Sequence, residues 1–208
     1  MTALLDTPGA ALAAPALADA AADLLFREAH TAYGFTEESV TPEQLERLHD
    51  LLRHPPTAMN TQPLRVVLVA TTEAKARLLP YLAEGNRAKS ESAPLVAILA
   101  ADTDFHEQLP RLLPHAPGAK DRFADDEARE RTARFNATLQ AGYFLLAIRA
   151  VGLDAGPMGG FDAAGVDRDL LGDGPLKSLL VVNIGHAAQD GTFPRSPRLE
   201  RDEVFLSL

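Results

Sequence analysis

The apolar positions along the chain follow two rhythms. Between Thr41 and His54, leucines at 45, 48, 51 and 52 fall at helical spacing and predict a helix that buries that side. Thr41 suits the N-cap and Pro42 the first turn. Gln44, three residues after the cap, can reach back to it, and His54-Pro55-Pro56 ends the run. A weaker pattern of Leu17, Leu24, Leu25 and Ala29 predicts a helix over Leu17 to Ala32. Leu64 to Ala70, Pro94 to Ala101 and Leu176 to Ile184 are short apolar runs rich in branched residues, which read as strands. Glu73 to Leu82 reads as a short helix, Phe105 to Leu113 as a helical turn or two, and Leu153 to Met158 as a short extended segment. The longest helix is expected from Asp125 to Val151. Its first half is charged. From Phe135 on it is apolar on nearly every side, Gln140 and Arg149 excepted. A helix apolar all round is buried all round. In a chain of 208 residues, that predicts a central helix that also packs on a second subunit.

Strands alternate irregularly with helices, which points to α/β or α+β with helices covering a small sheet. Residues 1–15, interrupted by Pro8 and Pro15, are expected to be a mobile tail. Residues 16–208 are expected to form one domain, ending in a Pro- and Arg-containing arm from Phe193.

Composition narrows the classes. Apolar residues make up 46% of the chain, enough for a core, and the formal net charge is −9. With no run of Lys and Arg, nucleic acid is not an expected partner. No cysteine is present, so disulfides, thiolate metal sites and a cysteine nucleophile are excluded. No Lys or Arg precedes Arg27 to form the n-region of a signal peptide, and no apolar run could span a bilayer. A cytoplasmic protein is expected. The six histidines show no ligand spacing, so no metal is expected. There is no G-x-G-x-x-G, P-loop or G-x-S-x-G.

Four stretches carry candidate chemistry. PPTAMNTQP (55–63) is a polar, proline-bounded loop that could offer Thr57, Asn60, Gln62 and backbone N–H groups to a flat polar ligand. Gly85 ends a helix in this reading, and Asn86 and Lys89 could then share a face of the next turn. The Gly152 to Asp162 stretch (GLDAGPMGGFD) would let backbone approach a ligand closely. Arg195 and Arg198 suit a phosphate. Taken singly, each is also what an ordinary loop, surface turn or tail contains.

Their order and spacing together resemble the nitroreductase family of FMN enzymes, from about Leu24 to Arg198. The motifs are PPTAMNTQP (55–63), EGNRAK (84–89), LPRLLPH (109–115), RFNATLQAGYFLLAIRAVGLDAGPMGGFD (134–162), LKSLLVVNIG (176–185) and RSPRL (195–199). The LPH loop and the GPM-x-GFD form resemble the branch containing malonic semialdehyde reductase. The resemblance implies an α+β fold with a mixed four- to five-stranded sheet wrapped by helices. It also implies an intertwined homodimer with FMN at the subunit interface. By position, Thr57, Ala58 and Asn60 would contact the flavin or its ribityl chain, and Asn86 and Lys89 would sit at the pyrimidine edge. Pro157, Met158, Gly159 and Gly160 would lie along the ring near its reactive nitrogen. Arg195 and Arg198 would hold the phosphate, with Thr31 in place of a family serine. Two departures stand out. Ala29 and His30 occupy the neighbourhood of a family arginine, and Gly159 stands where the better-known nitroreductases have Glu.

The implied activity is two-step hydride transfer from NADH or NADPH through FMN to a second substrate, with no side chain required as nucleophile and no catalytic acid identified. The expected acceptor is malonic semialdehyde, reduced to 3-hydroxypropionate; Arg111, Arg122 and Arg134 are candidates for its carboxylate. The alternatives are a broad NAD(P)H nitro or quinone reductase and a non-catalytic flavin-binding protein.

Overall fold

Thr41 caps its helix as its spacing predicts: its Oγ1 accepts from the Gln44 N–H (3.2 Å) and its own N–H donates to Gln44 Oε1 (2.9 Å). The structure is a computed structural model that describes residues 16–208; the expected tail at 1–15 lies outside the described residues. In chain order the elements are α1 (Asp19–Ala22), α2 (Pro42–Leu52), β1 (Leu64–Val69), α3 (Thr72–Leu78), α4 (Glu84–Ser92), β2 (Leu95–Asp102) and α5 (Leu109–Leu112). They continue with α6 (Asp126–Ala150), β3 (Asp154–Met158), α7 (Ala163–Asp169), β4 (Leu176–Gly185) and α8 (Arg201–Val204).

The four strands form one sheet in the order β1-β2-β4-β3, and every neighbouring pair is antiparallel. The expected sheet was mixed. Among the described residues no two neighbouring strands pair in parallel, because each strand lies against a neighbour entered from the opposite end. β2 is buried from Leu95 to Ala101 and splits its side chains by the strand period. Leu95, Ala97 and Leu99 face a core with Leu48 of α2 and Phe144 and Ile148 of α6. Val96 and Ile98 face a second core with Leu78, Met158 and Val166. Helices therefore cover both faces, and α6 lies along the larger core.

Several expected boundaries move. The helix expected to reach Ala32 ends early: α1 passes into a π turn at Asp23–Arg27, and the chain then extends. The reason is a competing bond, since the Ala32 N–H donates to Ala155 O of β3 (2.9 Å). The helix expected over 73–82 becomes α3 plus a 3-10 turn at Leu79–Tyr81, where Pro80 has no N–H to continue it. Gly85 does not end a helix but lies in the first turn of α4. Leu51, expected on the buried side of α2, is 45% exposed. α7 has no apolar repeat long enough to read; it starts where Asp162 Oδ1 accepts from the Gly165 N–H (3.1 Å). Among the described residues no helix is long and apolar enough to cross a membrane.

Candidate functional site

Extension of residues 28–33 beside β3 builds one wall of a cleft. Gly156 makes the approach possible: a Cβ there would stand 2.5 Å from Ala32 O. The facing wall is the C-terminal arm. Ala29, His30, Thr31 and Tyr33 on one side and Phe193, Arg195, Ser196 and Arg198 on the other enclose about 200 Å³. Tyr33 and Phe193 meet edge to face at 4.8 Å, and His30 Nδ1 lies 3.1 Å from Phe193 O, so the arm is pinned at its start. Arg195 Nη2 donates to Arg27 O (2.6 Å) and Ala29 O (2.8 Å), while Arg198 Nη1 reaches only Ser196 O and Pro197 O. Neither arginine has a carboxylate partner among the described residues. Two guanidinium groups and a hydroxyl around a small gap suit an anion of phosphate size.

The 86–89 and 157–160 positions join this wall. Lys89 Nζ lies 4.8 Å above the Tyr33 ring, and burial lowers the lysine's pKa below its ordinary value. Asn86 Nδ2 donates to Gly160 O (2.9 Å), tying α4 to the end of β3. Pro157 borders a neighbouring hollow with Ala29, His30 and Thr31. Gly159 is exposed, and a Cβ on it would meet nothing within 4 Å. Met158 is different: its side chain is 5% exposed in the second core, with Ser90 Oγ and Asn183 Nδ2 at 3.7 and 3.9 Å from its sulfur. Any contact it makes with a ligand is through backbone.

Thr57, Ala58 and Asn60 lie elsewhere. The Ala58 N–H donates to Asn136 Oδ1 (2.8 Å), and Asn60 Nδ2 donates to Leu112 O (2.8 Å). Arg149, which borders the hollow beside the first cleft, lies thirteen residues beyond Asn136 on α6. At the helical rise that is about 20 Å. One chain therefore holds two half-sites, one beside the middle of α6 and one toward its C-terminal end. The loop at 57–62 is also conformationally unusual: Met59, Asn60 and Gln62 have φ of 52°, 54° and 42°. Side chains rarely adopt this left-handed region, and such strain gathers where backbone is held for function.

Sequence reasoning missed Tyr33, which packs against Lys89, and Asn136, and it passed over Gln140 as an exception in an apolar stretch of helix. Their one signal was polarity at otherwise apolar positions. Of the arginines considered for a substrate carboxylate, Arg134 is paired with Glu130 (2.7 Å). Arg111 bonds only Gln108 Oε1 (3.2 Å), and Arg122 has no ion-pair partner among the described residues. Among those residues no group of three or more His, Asp or Glu could hold a metal.

The model of the nitroreductase family matches residues 26–186. A Streptomyces griseus protein provisionally named NADH dehydrogenase/NAD(P)H nitroreductase is 56% identical over 190 residues, covering 91% of this chain and 96% of the relative. A Leptothrix cholodnii protein of the same provisional name is 51% identical over 194 residues, covering 93% and 98%. The fold is shared with a Bacillus subtilis protein provisionally described as a nitroreductase, with a TM-score of 0.80, 23% identity and coverage of 92% and 100%. A similarly described protein from Exiguobacterium sibiricum, solved in complex with FMN, superimposes with a TM-score of 0.79 at 18% identity, covering 89% and 96%. The chain belongs to the nitroreductase family.

Proposed function

We propose that this chain is an FMN-dependent NAD(P)H oxidoreductase that works as a cytoplasmic homodimer. The observation that carries the reading is the cleft where Arg195, Arg198 and Thr31 converge, with no carboxylate among the described residues paired to either arginine. Its volume of about 200 Å³ suits the phosphate end of FMN and falls short of a whole cofactor site, for which 300 Å³ or more is usual. The remaining wall would come from the 57–62 loop of a second copy. The exposed apolar row Phe135, Leu139 and Tyr143 on α6, 66%, 45% and 47% exposed, supports such a pairing. The names of the relatives, NADH dehydrogenase/NAD(P)H nitroreductase, favour the same electron donor. Absence of cysteine suits a reducing compartment.

Bound FMN supplies reversible two-electron hydride chemistry. The chain's own groups position it. Arg195 and Arg198 would hold the phosphate, Asn86 would lie at the pyrimidine edge, and the Lys89 ammonium would favour negative charge there. Pro157, Gly159 and Gly160 keep one face open to donor and acceptor in turn, which requires ping-pong kinetics.

For the acceptor we propose malonic semialdehyde, reduced to 3-hydroxypropionate with one hydride from NAD(P)H and one proton from solvent. Arg111 adjoins Leu112, whose carbonyl binds Asn60, and it has no carboxylate partner among the described residues; it is the favoured contact for the substrate carboxylate. A second reading, a broad nitro or quinone reductase, is favoured by the relatives' names and by the open space at Gly159. Steady-state NADH oxidation with the semialdehyde and with a nitroarene separates the two. The first predicts a higher kcat/KM for the semialdehyde that falls about 10- to 100-fold in Arg111→Ala, the worth of a charged hydrogen bond. Equal or better turnover of the nitroarene, insensitive to Arg111, supports the second.

A further inference from the structure

The loop at 57–62 holds Met59, Asn60 and Gln62 in the left-handed region within four residues, none of them glycine. Such a conformation persists only where surrounding contacts over-determine it. Inside the loop, the Asn60 N–H donates to Thr57 O (3.1 Å), the Thr61 N–H to Ala58 O (3.1 Å) and the Gln62 N–H to Thr57 Oγ1 (3.2 Å). These close the turn but do not attach it to anything. Attachment comes from Asn60 Nδ2, which donates to Leu112 O at 2.8 Å, and from two amides on α6. Asn136, 2% exposed, accepts the Ala58 N–H on Oδ1 at 2.8 Å; Gln140, 6% exposed, accepts the Leu64 N–H on Oε1 at 3.0 Å. They stand four residues apart and so share one face of the helix, one turn from each other.

The direction of the Asn136 amide is fixed as well. Its Nδ2 donates to Thr132 O at 2.9 Å, which leaves only the oxygen for Ala58. Ala133, Ala137 and Ala141, all buried, line the same stretch of α6 and leave room for the loop to lie close. The loop is thus clamped to α6 at Ala58 and Leu64, with Ala58 itself and Asn60 left exposed.

We infer that Asn136 and Gln140 are positioning residues: they hold the strained loop so that Ala58 and Asn60 present a preset surface to the flavin, and neither touches the cofactor itself. This rests on the proposed reading that the 57–62 loop faces FMN. Buried amides in an otherwise apolar helix carry a desolvation cost, and here both acceptors are spent on the backbone of one loop.

The test uses the full chain loaded with FMN, in the variants Asn136→Ala, Gln140→Ala, Asn60→Ala and Leu78→Ala. Leu78 is 1% exposed in the core on the other face of the sheet and serves as the destabilised control. Each variant is read for melting temperature, for the position of the visible flavin bands and for the rate of flavin reduction at saturating NADH. A positioning role predicts shifted bands and reduction slowed about 10- to 100-fold in Asn136→Ala, as misplacement of reacting groups by an ångström does. Leu78→Ala lowers the melting temperature alone. Asn136→Asp, which keeps an acceptor for Ala58, falls closer to wild type than Asn136→Ala. If Asn136→Ala does not fold, Gln140→Ala, which frees one end of the loop only, is required to show the same shifts. Should the α6 variants behave like Leu78→Ala while Asn60→Ala shifts the bands, the positioning role is overturned and the flavin-facing loop stands. If Asn60→Ala shifts nothing either, both fall.

Discussion

Arg198 and Arg195 line the same cleft but are not equivalent. Arg195 also ties the arm to the carbonyls of Arg27 and Ala29, whereas Arg198 bonds only its own neighbours. Arg198→Ala should therefore weaken FMN binding about 10- to 100-fold, the worth of one charge-assisted hydrogen bond, with the apo protein melting unchanged. Arg195→Ala should do both, and fluorescence titration beside thermal melting separates the two effects. Lys89 makes a prediction in pH. Burial lowers its pKa, so between that lowered value and the ordinary lysine value of 10.5 the unfolded chain binds more protons than the folded one. Stability attributable to Lys89 thus rises with pH through that window. The difference in denaturation free energy between wild type and Lys89→Met should change with that sign; a difference flat in pH contradicts the buried ammonium. At this scale the cleft-forming residues were legible because charge and glycine sit at unusual places in the chain. Asn136 and Gln140 were not, because only the folded loop reveals what a buried amide accepts.

At the scale of elements, local chemistry and competition between segments explain what could be read. α2, β2 and α6 carry their own signals: a capping box, a continuous apolar run, and a long helical stretch capped by Asp125, whose Oδ1 accepts from the Ala128 N–H (2.7 Å). The end of the first helix was not local. It is decided by the bond from Ala32 to Ala155, more than a hundred residues away in sequence, and by the space Gly156 leaves. Gly156→Ala should force the 28–33 segment away from β3, since a backbone carbonyl cannot yield as a flexible side chain does. A loss of about 1–3 kcal/mol in chemical denaturation, with FMN affinity falling alongside, is the expected result. α6 has a second exposed consequence. Phe135, Leu139 and Tyr143 recur every four residues along its outer face, and Leu51 of α2 and Tyr143 border one apolar hollow. The sequence reads this helix as buried on all sides; one chain buries only part of it. Tyr143→Glu should shift sedimentation from dimer toward monomer and lose bound flavin in step. Unchanged sedimentation would remove the dimer from the account.

For the whole molecule, two half-sites, one beside the middle of α6 and one toward its C-terminal end, agree with the proposal that two copies complete each other's cleft. The phosphate-sized gap between residues 29–33 and the arm is too small for a complete cofactor site, and the clamped 57–62 loop meets α6 at Asn136, about 20 Å along the helix from Arg149 in the adjoining hollow. Family membership was legible in the spacing of these motifs along the chain. Their separation in space was not, because spacing in sequence says nothing about which turn of a helix a loop will meet. The most direct measurement is the visible spectrum of the purified protein, before and after anaerobic addition of NADH. The account predicts a flavin spectrum that bleaches on addition and returns with an acceptor. A colourless protein that remains colourless after incubation with FMN would contradict it.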